Sequence, residues 1–192
     1  MNAKAEKKER SHGTILASAD QLLRSRGIAG ARVADVMKGA GLTVGGFYAH
    51  FASKEALVDE ALGRAATQLR ARLFAKLDEK PAEDRAEVVL KRYLSAAHRD
   101  DTTTGCPFPA VVGEVGTTAP EHRDVLGEQV NAVAVELEKH VTASALSKRT
   151  LALGIVALMY GGLSLARALR GTELSDEILR ACRAVGRHAL RA

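Results

Sequence analysis

Side chains able to do chemistry are sparse in this chain of 192 residues, and their spacing excludes most reactions. His12, His98, His122, His140 and His188 show no metal-ligand spacing, so solvated or capping roles are expected for each. Cys106 and Cys182 are too few and too far apart for a disulfide framework or a four-ligand zinc site. A Gly-x-Ser-x-Gly elbow, a phosphate-cradling GxxxxGKS loop, an HExxH helix and paired Cys-x-x-Cys ligands are all missing, so neither an enzyme nor a metal or cofactor site is expected. What remains is a short stretch in which Thr43, Tyr48 and His50 accompany Gly45 and Gly46, with no acid among them. Hydroxyls and an aromatic tip on an acid-free face suit a phosphate-lined groove.

Composition defines the scaffold that must position this stretch. The length allows one domain or two small ones, and 46% hydrophobic content is enough for a core. No Trp, 4% aromatics and four Pro, beside abundant Ala, Leu, Arg and Glu, favour helices and speak against an all-β fold. The uncharged run Thr150–Ala166 is shorter than the roughly 20 apolar residues of a membrane span and contains three Gly. Six charges in Met1–Arg10, with no apolar stretch after them, argue against a secretory signal, so a cytoplasmic location is expected. Most of the net charge of +5 sits at the front, where Lys4, Lys7, Lys8, Arg10, Arg24, Arg26, Arg32 and Lys38 outnumber Glu6, Glu9, Asp20 and Asp35 by four. A basic end on a near-neutral body points to an acidic polymer, nucleic acid before membrane, because no basic amphipathic helix with bulky apolar anchors accompanies it.

Periodicity supplies the elements. Ile15, Leu16, Ala19, Leu22 and Leu23 form the stripe of a first helix over Glu9–Arg26, stopped by Gly27. Val33, Val36, Met37 and Ala40 mark a second helix ending at Gly41, and Thr43 is placed to cap a third over Val44–His50. Ser53 caps a long fourth helix carrying Leu57, Leu62, Leu69, Leu73 and Leu77, which ends before Pro81. Further helices are expected over Glu83–His98, Phe108–Val115, Glu121–Leu146, Leu151–Arg170 and, capped by Ser175, Asp176–Leu190.

The segment Val33–Phe51 thus reads as a helix-turn-helix. Gly41 and Ala40 permit a tight crossing, and Leu42, Phe47 and Phe51 pin the pair to the first helix. Residues 27–57, ending Gly41-Leu-Thr-Val-Gly-Gly-Phe-Tyr-Ala-His-Phe-Ala-Ser-Lys-Glu-Ala-Leu57, resemble the amino-terminal DNA-binding signature of the TetR/AcrR family of transcriptional regulators. The resemblance covers roughly residues 12–60 and rests on the Gly, Tyr, His-Phe and Ser-Lys elements at the family's spacing. It implies an all-α homodimer. Residues 1–53 would form a three-helix DNA-binding domain, and residues 54–192 a helical body for effector binding and dimerisation. Position by position it implies phosphate and groove contacts for Thr43, Gly45, Tyr48, His50 and Lys54, with Val44 and Gly46 against base edges.

Two departures from the family pattern matter. Ala31-Arg32 stands where Thr-Thr is usual, which removes a hydroxyl cap and puts a cation at a helix N-terminus, so Arg32 is expected to bind a phosphate. Gly45-Gly46 places two glycines in the recognition helix, where close backbone approach to DNA would offset their low helix propensity. Few base-reading groups remain, and groove shape and the basic N-terminal arm are expected to carry much of the specificity.

In the body, Gly154, Gly161, Gly162, Ser164 and Ala168 allow close helix approach. The family implies that the last two long helices pair with their copies, and that two recognition helices about 34 Å apart read a near-palindrome. Leu69, Tyr93, Phe108, Val112, Met159 and Tyr160 are candidates for an effector pocket. Gly105-Cys-Pro-Phe-Pro109, followed by Glu114, resembles a stretch found in part of the family. It puts Cys106 at a helix start, with His98 or Arg99 as possible neighbours, where a thiol could be activated. The expected function is a ligand-responsive repressor of double-stranded DNA. The alternatives are a thiol-based redox or electrophile sensor acting through Cys106, a helical carrier or enzyme without DNA binding, and an architectural DNA binder without a ligand.

Overall fold

A computed structural model of the chain describes residues 3–101, 104–142 and 146–192. Among these residues there is no strand. The helices are α1 (Ala3–Gly30), α2 (Val33–Gly39), α3 (Lys54–Leu73), α4 (Arg85–Tyr93), α5 (Ala96–Asp100), α6 (Phe108–Thr117), α7 (Arg123–Glu138), α8 (Lys148–Ala168) and α9 (Glu173–Arg191). Single 3-10 segments lie at Val44–Ala49, Ala82–Asp84 and Pro120–His122. The described residues fall into two compact units, one within 1–66 and 102–126, the other within 67–101 and 127–192. Packing therefore divides the chain elsewhere than the proposed division of roles at residue 53, and the first boundary falls inside α3.

In the first unit, α1 packs against α6 and α2 through Ile15, Leu16, Ala19 and Leu23, which meet a core containing Val36, Met37, Phe47, Phe51, Leu57, Leu62, Phe108 and Val111. The helix starts at Ala3 rather than Glu9, because Ala, Lys and Glu are all good helix formers and no capping residue interrupts them. The basic N-terminal arm expected from the sequence is thus helical from Ala3 onward. Gly27 ends the first run as expected: at φ 68 and ψ −169 it breaks the helix before a last turn to Gly30.

Asp20 is buried in this unit, 3.9 Å from Arg24 across one helical turn. Arg24 also donates from Nε to the Gly105 carbonyl at 2.6 Å, and Arg64 donates to the Gly13 carbonyl.

The second unit is built on the α8–α9 pair, with α4 packed against both. Leu90, Leu94, Ile155, Met159, Leu163 and Leu179 fill its centre. At Gly162 the packing is so close that a Cβ would stand 2.8 Å from Cys182 Sγ and 3.1 Å from Leu94 Cδ2, so this glycine serves contacts within the chain. Gly154 and Gly161, in contrast, are exposed. By length and composition α8 is, among the described residues, the one helix able to cross a membrane, because it extends past the uncharged run used to argue against a span. Its Leu151, Ile155, Val156, Met159 and Leu163 are buried inside the protein, which is how a core helix uses such a face.

Several boundaries differ from those expected. The stripe over Glu83–His98 is broken at Leu94 (φ −89, ψ 48), after which Ser95 accepts from His98 N and starts α5. α3 stops at Leu73, where Arg92 donates to the carbonyls of Leu73 and Ala75 and satisfies the helix end. α7 stops at Glu138, well before Leu146, and residues 143–145 of that predicted helix lie outside the described residues. Thr172, not Ser175, caps α9; Ser175 is buried one turn in and donates to the Ala166 carbonyl at 2.7 Å.

Burial raises the Asp20 pKa to about 6, against the opposing pull of Arg24 and Arg64. A carboxyl with a folded pKa above its unfolded value holds its proton more tightly in the native state, so its ionisation destabilises. The contribution of Asp20 to stability is then greatest below about pH 4 and is lost as the pH rises through about 6. Melting curves between pH 4 and 7 should show this trend in the wild type and its removal in Asp20→Asn; parallel profiles for the two proteins would contradict the assignment.

Candidate nucleic-acid interface

The turn between α2 and the 3-10 segment is made by Gly41 at φ 70, with Leu42 N bonded to the Met37 carbonyl at 2.9 Å. Thr43 is extended at the start of Val44–Ala49, as a cap residue would be, but its hydroxyl makes no capping bond. The expected third α-helix is a single 3-10 run, a tighter winding that suits a short segment carrying two glycines. Phe47 and Phe51 turn inward, both buried, with ring centroids 5.7 Å apart. Tyr48 meets Phe47 edge-on at 5.3 Å yet is 76% exposed. Thr43, Val44 and Gly45 are exposed as well, while Gly46 and His50 are half-buried.

This gives the segment two sides. One is an aromatic anchor, and the other presents hydroxyls, a phenol and bare backbone. No acid occurs between Asp35 and Glu55, so nothing on the outer side repels a phosphate. The nearest atom to a Cβ built on Gly46 is Met37 Cε at 3.8 Å, and around Gly45 there is open space. Neither glycine is required by contacts among the described residues.

The flanking cations are partly engaged within the protein. Arg32 stands at the N-terminus of α2 without a capping bond, 73% exposed at its side chain, and pairs with Asp35 in the first turn at 2.8 Å. Asp35 thus neutralises the unfavourable cation at that end. Lys54 donates to the Ile28 carbonyl at 2.8 Å, which leaves its ammonium two further donors. Burial lowers the His50 pKa, helped by the nearby charges of His12 and Lys8.

Two features of this unit escaped the sequence reading. Glu114 of α6 accepts from Ile28 N at 2.7 Å and Ala29 N at 2.8 Å, so one carboxylate holds both amides that the Gly27 break exposes. A Cβ on Gly27 would lie 2.0 Å from Glu114 Oε1, so the backbone there must be bare. The Ile28–Ala29 peptide is then gripped on both sides, by Glu114 at its Ala29 amide and Lys54 at its Ile28 carbonyl, shortly before α2 begins. The other feature is the histidines. His12 stacks on Phe51 at 4.5 Å and bonds Glu60 at 2.6 Å, and His122 is buried against Asp59 at 2.7 Å; neither is simply solvated.

The effector candidates are distributed over both units. Phe108 is buried and Val112 exposed in the first. Leu69, Tyr93 and Met159 are buried in the second, where Tyr160 stacks on Tyr93 at 5.7 Å. Cys106 has no exposed surface, and reactive thiols need access. Burial pushes the Cys182 thiol pKa up, as expected for a packing residue. Arg99 is committed to Asp100, Ser175 and Asp176, and the His98 ring to the Tyr93 carbonyl, with burial lowering the His98 pKa to about 4.

Hydrogen bonds to a charged acceptor are worth about 1.5–3 kcal/mol. Glu114→Ala should therefore cost about 2–3 kcal/mol in urea unfolding, with Glu114→Gln recovering part of it. Stability equal to wild type in the Ala variant would show that the two amides find another acceptor.

The profile described as "Bacterial regulatory proteins, tetR family" matches residues 15–61, and "Tetracyclin repressor-like, C-terminal domain" matches residues 82–182. Among solved structures, a TetR transcriptional regulator from Chloroflexus aurantiacus J-10-FL is 27% identical, with 93% of this chain and 95% of that chain covered at a TM-score of 0.78. E. coli NemR in its reduced form is 23% identical, with 91% and 95% covered at 0.77. SCO4454, a TetR-family regulator from Streptomyces coelicolor, is 24% identical, with 99% and 96% covered at 0.72. No curated protein matches the chain. The helix-turn-helix and the helical body are each matched, and the chain belongs to the TetR family of DNA-binding transcriptional regulators.

Proposed function

We propose that this regulator is a cytoplasmic, ligand-responsive repressor that occupies a near-palindromic operator as a homodimer and leaves it when an effector binds the body. The observation that carries the reading is the outer side of Thr43–His50, which is acid-free, with Tyr48 exposed beside two buried phenylalanines. On this reading Thr43, Gly45, Tyr48, His50, Lys54 and Arg32 contact phosphates and groove walls, and Val44 and Gly46 lie against base edges. Lys54 and Arg32 would do so while keeping Ile28 and Asp35 as partners.

The dimer is supported by a stripe along α8, where Leu153, Gly154, Ala157, Gly161, Leu165 and Ala168 are all exposed and none is charged. A charge-free stripe of large and small residues suits an isologous contact, and a two-fold axis would set two recognition segments about 34 Å apart. The candidates for holding the effector are Leu69, Tyr93, Met159 and Tyr160 in the second unit and, separately, Phe108 and Val112 in the first. The effector must bind the released form better than the DNA-bound one, because equal affinity shifts nothing. Glu114 offers the route: a displacement of α6 moves the Ile28 turn and hence the start of α2. The thiol-sensing alternative gains nothing from a Cys106 without exposed surface.

A phenol donating to phosphate is worth about 1.5–3 kcal/mol, so Tyr48→Ala should weaken operator binding roughly 10- to 100-fold in a gel-shift titration while leaving the dimer intact by sedimentation. Unchanged affinity would remove Tyr48 from the interface. Gly45→Ala and Gly46→Ala separate backbone approach from drift: both should keep or raise the melting temperature, since neither Cβ clashes within the chain, while operator affinity falls. Full affinity in both would mean that the backbone does not lie against DNA.

A further inference from the structure

The first turns of α1 carry their charges on two opposite sides. At 3.6 residues per turn, Lys4, Lys7, Lys8 and Ser11 fall within an arc of roughly 100°, and Glu6 and Glu9 lie about opposite. The structure bears this out. Lys4, Ala5, Lys7, Lys8 and Ser11 line an open groove of about 500 Å³ together with His50, whereas Glu6, Glu9 and Arg10 line a different surface. Among the described residues, Lys7 and Lys8, unlike Lys4, have no hydrogen-bond or ion-pair partner, although Glu6 and Glu9 lie within one helical turn of them. A solvated helix whose charges served only each other would interleave the two signs. Here the cations are gathered on the side where His50, the last residue of the candidate DNA face, closes the groove.

We propose that Lys4, Lys7, Lys8 and Ser11 form a phosphate-binding rail that continues the Thr43–His50 face along the backbone of duplex DNA. The rail rests on the DNA-binding reading of that face and extends it to residues outside the stretch that matches the family, which begins at residue 15. The dimensions agree. From Lys4 to Ser11 the helix rises about 10 Å, close to the axial span of three phosphates of one strand at about 3.4 Å each. With Gly45 and Gly46 offering no side chains, a sequence-independent rail supplies affinity that the recognition segment cannot. A membrane surface is the poorer partner, because among the described residues Ala5 is the only apolar one in the groove lining.

The experiment is a salt series of fluorescence-anisotropy titrations on a mixed-sequence duplex, using the full chain, the triple variant Lys4→Ala/Lys7→Ala/Lys8→Ala, and Arg10→Ala as the opposite-side control. Each phosphate contact contributes about 0.9 to the slope of log affinity against log salt, so the triple variant should lose roughly 2–3 from the slope and Arg10→Ala should lose none. Alanine maintains the helix, which circular dichroism of each variant checks. An unchanged slope in the triple variant, or an equal loss per charge in Arg10→Ala, overturns the rail while leaving the Thr43–His50 face standing. A wild-type chain with no salt-dependent affinity for the duplex overturns both.

Discussion

The arrangement of the helix-turn-helix depends on one carboxylate. Gly27 breaks α1 and leaves two backbone amides pointing out of the helix, and Glu114 takes both. An exposed pair of N–H groups in a turn is an anion site, and here the anion is supplied by the chain itself. The side chain cannot take this position unless residue 27 lacks a Cβ, so the break and the carboxylate are a single device. With Lys54 on the Ile28 carbonyl, across the same peptide from the Ala29 amide, the start of α2 is referred to α3 and α6 together. The helix-turn-helix is therefore held from behind, which leaves its outer side unencumbered.

That outer side is economical. Phe47 and Phe51 anchor a 3-10 segment too short to be stable alone, and the unanchored residues carry hydroxyls, a phenol and bare peptide. On the proposed reading, such a surface would sense shape and phosphate position more than base identity. Of the cations near the segment, Arg32 is shared with Asp35 and Lys54 with Ile28.

Local signals in the sequence were sufficient for the frame of the hook, though not for the 3-10 winding of Val44–Ala49 or the uncapped Thr43 hydroxyl. Gly41 had to be left-handed, Phe47 and Phe51 had to face inward and Ser53 had to cap α3; all three do so, with Ala56 N on Ser53 Oγ at 3.2 Å. Beyond the hook, the reading failed wherever a partner distant in sequence decided the outcome. Glu114 lies 86 residues from Ile28, and no periodicity links an acid to the turn that binds it. His122 was expected in a solvated or capping role, because its partner Asp59 lies 63 residues away in another helix. Ser175 had the chemistry of a cap, but Thr172 captured the helix start and the Ala166 carbonyl captured Ser175. Gly162 was read with Gly154, Gly161, Ser164 and Ala168 as allowing close helix approach, and the approach it permits is to Cys182 and Leu94 of its own chain. Helix propensity did carry the signal that α1 begins at Ala3, and the charged composition of that stretch obscured it.

The central claim is that the side of the hook away from Phe47 and Phe51 is the surface that meets duplex DNA. Amide hydrogen exchange of the full chain, with and without a saturating duplex that it binds, tests this directly, because protection reports which backbone is covered. The account predicts protection concentrated in Thr43–His50 and little change in α8. Binding accompanied by unaltered exchange across Thr43–His50 would contradict it.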